Sequence, residues 1–179
     1  MVKTEAEAHA QALELAAWDA LSAVHDPEIP PVSITDLGIV DRIVVSDEAV
    51  EIDLLPTFAG CPALDVIKED CEQAVRDVVA PREVRVRFVY TKAWTSDRIT
   101  PEGQEAMRSY GLTPPGHGPV FVPLTMTRRV AGVAMCPFCG SADTVQDSAF
   151  GPTLCRSTHF CRACRNPFEA FKPKGEPAT

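Results

Sequence analysis

The chain lacks the features that would place it in a membrane, at a nucleotide or in a familiar hydrolase. Its longest apolar stretches are strand-sized, far below the roughly 20 residues that cross a bilayer, so no membrane partner is expected. The opening segment MVKTEAEAHAQALELAAW has acids where a secretion signal would have an apolar core, and the expectation is a cytoplasmic protein. No G-x-x-x-x-G-K, G-x-G-x-x-G, H-E-x-x-H or G-x-S-x-G occurs. A nucleotide cradle, a zincin centre and a nucleophile elbow therefore have no sequence support. No catalytic residue is assigned, and a role without catalysis of its own is the expectation. Positive charge is also short: 17 Lys and Arg stand against 25 Asp and Glu, for a net charge of −8. Residues 1–135 hold 12 basic and 21 acidic side chains, whereas 136–179 hold five and four. An acidic body repels phosphate backbones, so no nucleic-acid partner is expected.

What the chain does have is cysteine in a pattern. Five of its seven cysteines lie within CPFCGSADTVQDSAFGPTLCRSTHFCRAC. In a reducing compartment, C-x-x-C pairs point to metal or redox chemistry more than to structural disulfides. Cys136 and Cys139 form one pair and Cys161 and Cys164 the other, with 21 residues between them. Two such pairs on a short hairpin place four thiolates around one ion in the tetrahedron zinc accepts. Gly140 after the first pair and Arg165-Asn166 after the second suit tight knuckles. A segment of this size has too little apolar surface to fold without a staple. Four ligands close the site, which makes the metal structural; an iron centre of rubredoxin type would have the same spacing. Cys155 and His159 are surplus to this set.

Upstream, the patterning alternates between helical and strand periods. Leu13, Ala17, Leu21 and Val24 mark a helix from about Glu5 to Val24, which ends at the three prolines of HDPEIPP. IVDRIVV and AVEIDLLP read as strands joined by the turn SDE, the second half-buried with Glu51 and Asp53 outward. A second helix follows from Pro62 to Val79, with Leu64, Ile67, Cys71, Ala74, Val75 and Val78 inward. REVRVRFVY is a third strand. TPEGQEAMRSYG is a short helix with Thr100 as its N-cap and Gly111 as its stop. LTMTRRVAGVAM reads as a further strand. The class is α+β: a domain over 1–111, a linker with a strand over 112–134, a zinc-ribbon-like domain over 135–173 and a tail over 174–179.

Cys61 in GCPALDVIK stands where a loop enters the second helix. Unpaired N–H groups at such a terminus favour a thiolate, its nucleophilicity and its metal affinity. Asp26, Glu28 and Asp36 are candidates to line the same rim, with turn and cap chemistry as the alternative for these acids. Cys71, mid-helix on the apolar face, reads as core.

DPEIPPVSITDLGIV, LPTFAGCPALDVI and VRVRFVYTKAWTSDRITPEGQEAMRSYGL together resemble a known domain. It is the small iron–sulfur assembly domain of bacterial sulfur-mobilisation T proteins and eukaryotic cytosolic Fe–S targeting factors. Asp26-Pro27-Glu28, Asp36-Leu37-Gly38, Gly60-Cys61-Pro62 and Trp94 carry the likeness. With the cysteine-rich tail attached, nearly the whole chain is similar to the D-protein family of the phenylacetyl-CoA epoxidase system of aerobic phenylacetate degradation. Cys155 in FGPTLCRSTHFC fits that family too.

The resemblance implies an accessory factor that assists the [2Fe–2S] cluster of a flavin-containing reductase subunit. Cys61 would be a transient ligand for iron, sulfur or a cluster, and a structural zinc would sit in the tail; a homodimer is left open. Phe58-Ala59 replaces the expected Tyr-Ser, which would alter binding if those hydroxyls hold a ligand. Two rival readings are a structural subunit that bridges oxygenase components and a thiol–disulfide oxidoreductase. The second has no thioredoxin-like βαβ unit around any C-x-x-C to support it.

Overall fold

The computed structural model describes residues 5–116 and 134–174. The strand expected over LTMTRRVAGVAM falls almost wholly outside them. The chain groups into two compact units, one of residues 1–56 and 62–93, the other of residues 57–61 and 94–179.

The first unit begins with helix α1 (Glu5–Ser22), whose acidic first turn holds Glu5 and Glu7, charges that the positive end of the helix dipole favours. Ala17 and Leu21 are fully buried and Val24 nearly so, as the spacing predicts, while Leu15 faces out. After the helix, the proline-rich stretch does more than break it. His25–Asp26 (β1) and Ile29–Ser33 (β2) pair antiparallel in a two-stranded ladder. Pro30 and Pro31 are both exposed there, where a missing N–H costs little.

Strands β3 (Val40–Val45) and β4 (Ala49–Leu54) form the expected hairpin, with Ile43 opposite Ile52 and Val45 opposite Val50. Ser46 closes its turn: its hydroxyl donates to the Ala49 carbonyl at 2.8 Å and accepts from the Ala49 N–H at 3.0 Å. Helix α2 (Leu64–Val79) then carries the chain over to β5 (Glu83–Phe88), which pairs with β4 in parallel. β4 is thereby central in the order β3-β4-β5, with helices α1 and α2 packed on each other, α1 on β3 and α2 on β5.

Ile67, Cys71, Val75 and Val79 form the buried stripe of α2. Val78, expected inward, is exposed, because the four-residue row from Ile67 runs through Val79 instead. Burial of each such aliphatic side chain contributes about 1.5–3 kcal/mol.

The expected outward face of β4 is the main local correction. Asp53 is 6% exposed, so β4 is not half-buried in the simple alternating sense. Its Oδ1 accepts from Arg87 Nε at 2.6 Å, and its Oδ2 from Arg42 Nη2 at 2.7 Å and Nε at 3.0 Å. One carboxylate thus clamps all three strands. Burial pushes the Asp53 carboxyl up, but the hydrogen bonds from Arg87 and Arg42 and their charges outweigh it, leaving it below the usual range.

The second unit contains a 3₁₀ turn (Ser96–Arg98), helix α3 (Pro101–Ser109) and the strands β6 (Leu112–Thr113), β7 (Thr144–Ser148), β8 (Arg156–Cys161) and β9 (Pro167–Phe171). Thr100 caps α3 as expected, its Oγ1 accepting from the Gly103 N–H at 3.0 Å. Gly111 follows at φ 86°, a left-handed stop that needs no side chain. The sheet order is β6-β9-β8-β7, with β7, β8 and β9 an antiparallel meander. Trp94 is buried and meets Phe171 edge-on at 5.9 Å.

Candidate metal centre and thiol loop

Two copies of one turn build the metal centre. In each, the first cysteine of the pair donates its N–H to the carbonyl five residues on: Cys136 to Ser141 and Cys161 to Asn166, both at 3.0 Å. The residue at the fourth step is left-handed in both, Gly140 at φ 70° and Arg165 at φ 62°. Glycine takes this conformation freely. An arginine there costs about 1 kcal/mol, a strain kept only when the surroundings fix it.

The second cysteine of each pair receives the backbone N–H two residues later, from Ser141 to Cys139 and from Asn166 to Cys164. These N–H groups point at sulfur, where they stabilise thiolate charge. The Asn166 N–H holds the Cys164 thiol down to about 7. The Ser141 N–H works the same way on Cys139, but burial and the three neighbouring thiols push it up to about 12. Burial raises Cys136 as well. The raised thiols of Cys136 and Cys139 are ones that a dication would convert to thiolate.

The four Sγ atoms lie within 4.8 Å of one another, with Cys136–Cys164 and Cys139–Cys161 each at 3.6 Å. Zinc–sulfur bonds of about 2.3 Å in a tetrahedron require sulfur–sulfur separations near 3.8 Å, so the number, type and spacing of these residues fit zinc. Cys136, Cys139, Cys161 and Cys164 would hold a structural zinc and leave no coordination position for a substrate. Around them the apolar core is small: Ala134, Phe168 and Ala170 pack with the buried cysteines.

His159 and Cys155 stand outside the ligand set. His159 is buried and stacks on Phe168 at 5.3 Å, with Nε2 2.9 Å from Ser157 Oγ. Burial holds its pKa below the ordinary value, so it is a neutral core ring. Cys155 is half-buried, with Sγ 3.1 Å from Thr153 Oγ1.

Cys61 is half-buried and its N–H donates to the Phe58 carbonyl at 3.1 Å. The regular helix begins at Leu64, with Ala63 at the N-cap position, so a turn separates the thiol from the first helical residue. The 57–61 loop groups with the second unit, and Pro62 onward with the first. Lys174 Nζ donates to the Thr57 carbonyl at 3.3 Å. Lys174 is fixed in turn by Ser96, through Ser96 N–H to Lys174 O at 2.8 Å and Lys174 N–H to Ser96 Oγ at 2.7 Å.

The acids lie in the first unit and hold turns. Asp26 Oδ1 accepts from the Glu28 N–H at 2.7 Å. Asp36 Oδ2 accepts from Ser33 Oγ at 2.7 Å while the Asp36 N–H donates back to that oxygen at 3.0 Å. Glu28 is half-buried. His25 donates from Nδ1 to the Pro30 carbonyl at 2.6 Å. Cys71 is core, its thiol pushed up to about 12 by burial and then by Asp70 and Glu72. Sequence reasoning missed the Asp53 clamp and the membership of the 57–61 loop. Only Arg42 on β3 and the two arginines of β5 hint at the clamp.

Comparison with known proteins finds two family models along the chain. Residues 14–88 match the family model described as iron-sulfur cluster assembly protein, and residues 122–172 the one described as PaaD zinc beta ribbon domain. The chain is 37% identical over 159 residues to an Escherichia coli protein whose provisional name makes it the D subunit of 1,2-phenylacetyl-CoA epoxidase, an alignment spanning 87% of this chain and 90% of that one. It is 34% identical over 93 residues to the Fe-S protein maturation auxiliary factor of Porphyromonas gingivalis, across 51% of this chain and 85% of that protein. The crystal structure of the domain of unknown function DUF59 from Bacillus anthracis superposes with a TM-score of 0.52 at 26% identity, covering 56% of this chain and 95% of its own. Among the described residues, no helix is long and apolar enough to cross a membrane.

Proposed function

The chain belongs to the family of phenylacetyl-CoA epoxidase D proteins, and from that premise we propose that it is a cytoplasmic accessory factor for iron–sulfur assembly in such a system. Its client in this reading is the reductase subunit that carries flavin and a [2Fe–2S] cluster. Cys61 is the transient ligand for iron, sulfur or the cluster. Asp26, Glu28 and Asp36 tune access, Asp26 and Asp36 through the turns they hold. The zinc ribbon orients the client and takes no part in the chemistry.

One observation carries the reading. An assembly-type domain is joined in one chain to a closed four-cysteine knot, which separates the thiol that can exchange cargo from the thiols that cannot. A ligand for transient cargo needs solvent access and a nucleophilic or metal-binding atom, and half-buried Cys61 has both.

Replacing Cys61 by Ala tests it in cells that express the reductase. Iron and acid-labile sulfide per reductase should fall severalfold, with unchanged reductase protein. Full cluster loading would sink the proposal.

A bridging role without thiol chemistry is favoured by the exposed apolar side chains of the second unit, Phe138 at 57% and Phe150 at 72% among them. It makes the opposite forecast. Cys61→Ala would be harmless, and loss of the ribbon would dissociate a complex seen by size-exclusion chromatography.

A further inference from the structure

Of the seven cysteines, four fill the zinc knot and Cys71 is locked in the core of the first unit. That leaves Cys61 and Cys155, nearly a hundred residues apart in sequence and both half-buried in the second unit.

The loops that carry them are held by one short stretch of chain, the residues just after β9. Lys172 N–H donates to the Cys155 carbonyl at 2.8 Å, and its Nζ to the Leu154 carbonyl at 2.9 Å. Two residues on, Lys174 Nζ donates to the Thr57 carbonyl of the Cys61 loop. Both loops are thus tied to the same three residues of chain, 172–174. The loops also lie side by side: a Cβ placed on Gly60 would stand 3.9 Å from Leu154 Cδ1. The Cys155 loop is tightly closed, with Gly151 N–H to Arg156 O at 2.9 Å and a tight fit at Gly151, whose Cβ would meet the Arg156 backbone at 3.1 Å.

We propose that Cys61 and Cys155 are the two halves of one dithiol site, which holds iron or a small iron–sulfur cluster by two protein sulfurs. The inference rests on the reading of Cys61 as a cargo ligand and adds the second ligand. Two thiolates on a soft metal leave its other positions open, which suits cargo that must pass to a client; the four-cysteine knot cannot release its ion without unfolding. Lys172 and Lys174, at the base of both loops, offset the negative charge that a thiolate-ligated cluster carries. Phe58 and Leu154 on the two loops, and Phe150 beneath the Lys172 ammonium, are all exposed, an apolar border for the surface of a client protein.

Two measurements on the zinc-loaded full chain test the pair. Phenylarsine oxide forms two As–S bonds with a dithiol and releases one water, without change of oxidation state. One equivalent should bridge the peptides containing Cys61 and Cys155, as read by mass spectrometry. Cys61→Ser and Cys155→Ser should each weaken binding about tenfold or more, as expected when a chelate becomes a single contact. The second measurement is air-free loading with ferrous iron and sulfide, with zinc content and circular dichroism confirming that each variant is folded. Both variants should lose the iron beyond zinc.

Separate single-thiol adducts, or native arsenical affinity in Cys155→Ser, would overturn the pairing. If Cys155→Ser keeps its iron while Cys61→Ser loses it, the dithiol site falls and the proposed function stands. If both keep their iron, the assignment of Cys61 as a ligand falls with it.

Discussion

The two units of this chain solve the same stability problem with opposite materials. The first buries Ile29, Ile34, Leu37, Ile52, Leu54, Leu55 and Ile67 almost completely, and it closes its sheet with one carboxylate held by two arginines. The ribbon of the second packs Phe168, Ala134 and Ala170 with its cysteines and adds only a few larger side chains such as Val145 and Phe171. It makes up the difference with a metal and with backbone turns repeated around it. A region that relies on apolar area tolerates small changes spread over many residues. One that relies on four sulfurs depends on each of them.

The largest expected effect follows directly. Removing zinc with a strong chelator, or replacing Cys161 by Ser, should unfold the ribbon, since structural zinc supplies about 10–16 kcal/mol in comparable small sites. Hydrogen exchange should show amide protection lost over 136–171 and retained over 40–88. Uniform loss over both stretches would erase the distinction between the units.

Next comes the carboxylate clamp. Asp53→Asn should cost about 1–3 kcal/mol, because two arginines lose a charged acceptor, without changing zinc stoichiometry. The sign with pH is fixed by the direction of the shift. The native carboxyl lies below its unfolded value of 3.8, so its contribution is complete above that value and disappears as pH falls through the depressed native one. Urea unfolding should therefore show an acid-dependent loss in the native protein that is smaller in Asp53→Asn. Equal acid sensitivity in the two would discard the clamp.

The smallest effect refines the contrast inside the second unit. Thr100→Ala should cost about 1 kcal/mol through the lost cap of α3, visible as a lower thermal midpoint, with zinc affinity unchanged. A parallel fall in zinc affinity would mean that helix and ribbon melt as one.

Local chemistry was legible in the sequence, and long-range pairing was not. Thr100, Gly111, Gly140 and the Arg165 turn are each dictated by backbone needs within five residues, and each stands where its neighbours predict. The spacing of the cysteines announces the knot for the same reason. β4 and β5 alternate like any strands, but nothing in alternation says that they pair in parallel across a helix. Asp53 looks like an outward polar residue until Arg42 and Arg87, from strands on either side, close over it. The β1–β2 ladder was hidden because prolines read as punctuation, and they are harmless on exposed edges. Asp26 and Asp36 hold the turns that loop chemistry predicts for them, and those hydrogen bonds leave their role at the rim to experiment.

The path of the chain between the units has a consequence for genetics. The backbone passes from one unit to the other after Pro56, returns after Cys61, and leaves again after Ala93. A gene cut anywhere between α3 and the ribbon would therefore do more than delete a metal domain. It would take away Lys174, which holds the Cys61 loop at Thr57, together with Leu154 and Cys155. A truncation that abolishes activity would be scored against the ribbon even if the damage lay in the loop. Point changes at Cys61, Cys155 and Lys174 can assign the phenotype; a deletion series cannot.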